Sequence, residues 1–176
     1  MTNEENLENR VEAVAKLHRD SLEAAAKDPF TAYARERIDY YLNSDKYKLK
    51  HHCETCFAQP DKTVHRWKGG RIIKVPKRYT FGWFTNSYFT EGRYYPKLHR
   101  ITLNVDLLDG PRAEMQNTLM HEIAHALTEQ WHHPQDRLIK ERGRWRRTID
   151  SHDARWRDIA KELGDADVSE YEGVRA

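Results

Sequence analysis

Apolar positions in the first 27 residues recur at helical spacing. Leu7, Val11, Val14, Leu17 and Leu22 are separated by charged residues, and an EAAAK run follows. The pattern predicts a helix over about 7–27. Asp28-Pro29 ends it and opens a second helix over about 30–43, with Tyr33, Arg37, Tyr40 and Tyr41 at helical spacing before Asn43-Ser44. The period then shortens to two. TVHRW and RIIKV, joined by KGG, predict a hairpin over 63–75, and YTFGWFT and YFTEGRYY are further β material. In HRITLNVD, Ile101, Leu103 and Val105 alternate with Thr102, Asn104 and Asp106. Such a strand should pack one face and turn the other to solvent or a cleft.

Gly110-Pro111 opens a third helix over about 111–130, with an apolar arc of Met115, Leu119, Ile123, Ala126 and Leu127. RLIKERGRWRR follows as a basic stretch with no element assigned. A last helix, about 153–163 (DARWRDIAKEL), stops at Gly164, and 165–176 reads as a flexible tail. The chain of 176 residues is therefore expected to be α+β, with N-terminal helices and a small, mostly antiparallel sheet packed on the third helix. Residues 1–28 read as a peripheral helix. Residues 29–164 read as the domain, with a basic insertion carrying the C-x-x-C and hairpin at about 46–78.

Composition adds two points. No apolar run is long enough to span a bilayer, and the acidic start lacks the apolar centre of a signal peptide, so a cytoplasmic protein with no membrane partner is expected. The net charge of +2 hides an asymmetry: residues 46–100 hold 13 Lys and Arg against 3 Asp and Glu, between two acidic segments. A block of this kind is a candidate surface for single- or double-stranded DNA, with Lys68, Arg71, Lys74, Lys77 and Arg78 as contacts. The plainer reading is a solvated basic face.

The third helix carries LMHEIAHAL. In H-E-x-x-H, His121 and His125 project one turn apart from one face, close enough to share a Zn²⁺. Glu122, offset by one residue, reaches the water such an ion activates and serves as the catalytic carboxylate. Chance alone yields about 0.05 such matches in this composition. The position opposite the apolar arc, behind an alternating strand, favours a real site over two surface histidines.

A catalytic zinc needs a third protein ligand and an open fourth position. The metzincin continuation fails here, since Thr128 and Trp131 stand where Gly and His would, and His132 misses by one residue. His152, in DSHDARW before the last helix, is the preferred third ligand. Glu162 is the alternative.

Taken in order, FGWFT, ITLNVDLL, NTLMHEIAHAL and SHDARWRDIAKELG resemble the SprT-like zinc metallopeptidases, which include the Spartan proteases. The resemblance covers about 80–164 and, weakly, 30–43. It implies a zincin-like fold with His121, His125 and His152 on one catalytic zinc, the last opening the C-terminal helix, and Glu122 as the catalytic carboxylate. It also implies a protein substrate, DNA-bound proteins and crosslink repair included. If the substrate adds as a strand to the sheet, ITLNV is the expected edge. Family members often place Gly after the third His, where this chain has Asp153, and many carry a C-terminal DNA-binding appendage. The basic middle block is the expected substitute.

A second constellation lies in HHCETC. Cys53, Cys56, His51 or His52, and His65 would make up a Cys₂His₂ structural zinc, against the simpler reading of two unmodified thiols in a basic loop. Three functions are open at this point: a zinc endopeptidase, a non-proteolytic nucleic-acid-binding module on the same fold, and a zinc hydrolase of a non-peptide substrate.

Overall fold

Helix α1 spans Asn3–Lys27 and α2 spans Pro29–Ile38. The computed structural model describes residues 3–47, 63–85, 90–130, 138–141, 144–147, 152 and 154–164. The break between α1 and α2 follows from two residues. The Asp28 carboxylate accepts from the Phe30 N–H at 2.7 Å, and Pro29 takes the first helical position, where no amide hydrogen is needed. Thr31 fixes the corner: its hydroxyl donates to the Ala25 carbonyl at 2.7 Å and accepts from the Trp83 indole at 2.8 Å. The apolar stripe of α1 is only half used. Leu22 and Ala25 pack on the core, whereas Leu7, Val11, Val14 and Leu17 are 51–64% exposed.

The second helix is shorter than its sequence pattern, giving way to a π-turn over Asp39–Asn43. Asn43 supplies a reason, because its side chain takes the place of a strand neighbour. Its amide donates to the Tyr79 carbonyl at 3.0 Å and accepts from the Tyr79 N–H at 2.7 Å. The wider turn delivers that amide to the chain entering the sheet.

Strands β1 (Thr63–Lys68) and β2 (Arg71–Pro76) form the expected hairpin across Gly69-Gly70, both at positive φ. The main sheet holds β3 (Thr80–Phe84), β4 (Gly92–Tyr95) and β5 (Arg100–Asn104), in the order β3-β5-β4. It is mixed, not mostly antiparallel: β5 runs parallel to β3 and antiparallel to β4. The last strand in sequence inserts between the other two, so ITLN is the central strand and not the edge.

Thr102 and Asn104 are 4% and 5% exposed although their alternation promised an open face, so both faces of β5 are covered. On the inner face, Phe81, Trp83, Ile101 and Leu103 share one core with Phe30, Ala34 and Ile38 and with the arc of α3 (Arg112–Gln130). Met115, Leu119, Ile123, Ala126 and Leu127 are all buried, as the periodicity requires. The stretch left without an element holds a second hairpin, β6 (Leu138–Glu141) with β7 (Arg144–Arg147). Helix α4 (Ala154–Leu163) returns to α3 and buries Trp156, Ile159 and Ala160. Among the described residues, no helix is long and apolar enough to cross a membrane.

Candidate metal centre

His121 and His125 lie one turn apart on α3, and His152 stands in the turn before α4. The three imidazoles converge. Nε2 of His121 is 3.2 Å from Nε2 of His125 and 3.2 Å from Nε2 of His152, and the three donor atoms all lie within 4.8 Å of one another. Zn–N bonds of 2.0–2.1 Å at tetrahedral angles place ligand nitrogens about 3.3 Å apart. The donor set and its spacing therefore fit a zinc ion. Among the described residues, this is the one cluster of histidine, cysteine or carboxylate groups able to share an ion.

Packing holds the rings in place. Trp156, fully buried in the first turn of α4, lies against all three imidazoles, with ring centroids 4.7, 5.3 and 4.4 Å from His121, His125 and His152. Arg157 donates from Nη1 to the His152 carbonyl at 3.0 Å, so α4 fixes both the ring and the backbone of the third histidine.

Glu122 lies against β4. It is 7% exposed and is not a member of the histidine cluster. Burial pushes its carboxyl up to about 7, against the pull of the His121 charge and of a hydrogen bond from the Tyr94 backbone N–H. The phase of β4 accounts for that bond. Asn104 N–H donates to the Glu91 carbonyl at 2.7 Å, so alternate residues of the strand face β5, and Gly92 and Tyr94 turn their backbone groups to the opposite edge.

Two contacts bring β4 this close to α3. A Cβ on Gly92 would lie 2.8 Å from Thr118 Cγ2 and 2.9 Å from both Cγ and Oε1 of Glu122. Only glycine lets the strand pass there. Two helical turns further on, the Tyr94 hydroxyl donates to the Glu129 carboxylate. Tyr94 thus bolts the strand to the helix with its backbone at Glu122 and its phenol at Glu129. Burial raises the Tyr94 pKa, and the neighbouring Tyr79 and the carboxylate raise it further.

The structure brings His121, His125 and His152 together with Glu122 beside them. Glu162, the alternative third ligand, accepts from the Tyr47 hydroxyl at 2.5 Å. Gly92, Tyr94, Glu129 and Trp156 had no assigned role in the sequence reading. A glycine amid the aromatics of EGRYY was the available signal for the first two. Of the second constellation, His51, His52, Cys53 and Cys56 lie outside the described residues, and His65 stands on β1 in register with Lys74. Of the basic candidates, Lys68, Arg71, Lys74 and Arg78 are exposed and Lys77 is half-buried.

No curated protein and no solved structure matches this chain. A family match does exist, to the SprT-like family over residues 53–173. It covers about two-thirds of the chain and takes in the sheet, both hairpins, α3 with its two histidines, and α4 with the turn before it. The chain belongs to the SprT-like family.

Proposed function

We propose that this protein is a zinc-dependent endopeptidase with a zincin-like active site built on α3, β4 and α4. The observation that carries the reading is the convergence of three imidazoles, with the Nε2 of His121 3.2 Å from each of the other two, beside a buried carboxylate on the adjacent residue. A zinc ion held by His121, His125 and His152 would supply Lewis acidity to the scissile carbonyl. Glu122, buried on the residue next to His121, is the group to take a proton from the attacking water and return it to the leaving nitrogen. Its hydrogen bond from Tyr94 fixes the carboxylate against the strand edge.

That edge is also where an extended substrate fits best. Among the described residues β4 pairs on one side only, with β5, and Gly92 offers its N–H and C=O on the other side, next to Glu122. The substrate shelf is therefore β4, in place of ITLNV. Residues 1–28 act as a peripheral extension of the domain.

The test is proteolysis by the zinc-loaded chain against Glu122→Gln, using a basic DNA-binding protein as substrate, with and without single-stranded DNA. Cleavage by wild type alone is expected. Equal cleavage by the variant would remove Glu122 from the chemistry. A variant and wild type that are both inert, with zinc bound, would favour the binding module or a non-peptide substrate.

A DNA contact through the β1–β2 hairpin is supported by the exposure of Lys68, Arg71, Lys74 and Arg78. Binding through these cations should weaken steeply with salt. A flat salt response would leave the hairpin as solvated surface.

A further inference from the structure

A second cleft opens at the other edge of the sheet from β4 and Glu122, with β5 between the two. It has a volume of about 290 Å³ and lies where the end of α1 and the start of α2 pass the outer edge of β3. Leu22 and Ala26 form one wall and Trp83 another, while Arg35 from α2 and Arg100 from β5 reach into it with their guanidinium groups near solvent.

Gly82 creates the room for Arg100. A Cβ at that position would collide with the guanidinium and lie 2.9 Å from Cζ, so the side chain rests flat across the strand at the mouth of the cleft. Neither arginine forms an ion pair with a carboxylate among the described residues. Two guanidinium groups at one cleft, neither paired with a carboxylate among the described residues, form a positive site. Each planar fork is matched to a phosphate or a carboxylate.

We propose that this cleft binds a small organic anion, a phosphate monoester or carboxylate whose apolar body lies on Leu22, Ala26 and Trp83 while Arg35 and Arg100 hold the charged group. The volume equals that of about ten waters, which suits a ligand of one ring and one anionic group. The site stands independently of the peptidase reading, because none of its residues takes part in the histidine cluster.

Calorimetric titration of the zinc-loaded full chain with phenyl phosphate, benzoate and inorganic phosphate tests it. At least one organic probe should bind saturably, and the comparison of the two identifies the preferred group. Arg35→Gln and Arg100→Gln should each weaken binding by about tenfold to a hundredfold, as for lost charge-assisted hydrogen bonds, with unchanged melting temperature. Gly82→Ala keeps both charges but displaces Arg100, and should weaken binding too. Retained affinity in that variant would reduce the attraction to general charge and overturn the proposal. So would the absence of saturable binding, or inorganic phosphate binding as tightly as phenyl phosphate. Binding that survives both arginine variants but is lost with the metal would put the probe on the histidines, and would overturn the proposal as well.

Discussion

Gly92→Ala is the sharpest test of how β4 serves the metal centre. The added methyl would sit 2.8–2.9 Å from three atoms of α3, two of them in Glu122. Ordinary carbon contacts begin near 3.4 Å, so about half an ångström must be found. Either the strand lifts from the helix or the Glu122 carboxylate turns, and both lengthen its bond to the Tyr94 N–H. Overpacking of this kind costs about 1–3 kcal/mol. For a chain of this size that is a fall in melting temperature of about 3–9 °C. Misplacing a reacting group by 1 Å costs on the order of a hundredfold in rate, so half that shift predicts a drop in kcat of about tenfold. Zinc content should not change, because the three Nε2 atoms are untouched. The assay is kcat on a protein substrate beside metal analysis and a thermal melt. Wild-type kcat and wild-type melting together would show that the close approach of β4 does not position Glu122.

Other perturbations separate the parts of the site. His152→Ala should lose most of the bound zinc, read by metal analysis after dialysis; full retention would hand the third-ligand role to another residue. In the metal-free chain, Glu122 has its pKa raised from 4.5 to about 7, so the folded state holds a proton that the unfolded state releases. The associated stability is fully present below about 4.5 and is lost as pH rises through 7, a change of up to about 3 kcal/mol. Denaturation midpoints of wild type should fall across that window relative to Glu122→Gln; parallel curves would refute the shift. Asn43→Ala removes both bonds to the Tyr79 backbone and should cost about 1–3 kcal/mol with zinc content unchanged, measured by chemical denaturation. A loss of zinc in that variant would mean that the π-turn supports the metal centre directly.

The parts of this structure legible in the sequence are those that local periodicity encodes. The arc of α3 and the opposed histidines follow from a spacing of 3.6, and the β1–β2 hairpin follows from Gly69-Gly70 between two β-prone runs. Strand order is not encoded that way. Thr102 and Asn104 alternate as they would on a half-exposed edge, yet β5 lies between β3 and β4, and both of its faces are covered. Alternation tells two faces apart without saying what covers either. The parallel pairing of β3 with β5 is likewise a non-local choice.

The placement of His152 lies beyond the reach of pattern for a related reason. Its ring is placed by Trp156 and Arg157 on α4, and that helix is positioned by packing against α3. In the sequence, its place just before the last helix makes His152 the preferred third ligand, with Glu162 as the alternative, and the resemblance to a known family implies the same role. The β6–β7 hairpin could have been read from the two-residue spacer Arg142-Gly143 between LIKE and RWRR. The abundance of arginine hid its β character.

The seating of His152 ahead of α4 has a mechanical consequence. An ion shared by His125 and His152 would close a coordination loop around the whole β6–β7 hairpin and tie α4 to α3 in the folded state. Binding confined to the folded state would stabilise it by mass action, by about 4 kcal/mol at a free-ion concentration roughly a thousandfold above Kd. Such an ion would fasten the last helix as well as serve the proposed chemistry. Chelation should loosen α4 before the sheet or α3 opens, and with it the buried indole of Trp156 that backs all three imidazoles. The fastening of the C-terminal helix would then depend on whether the three histidines are loaded.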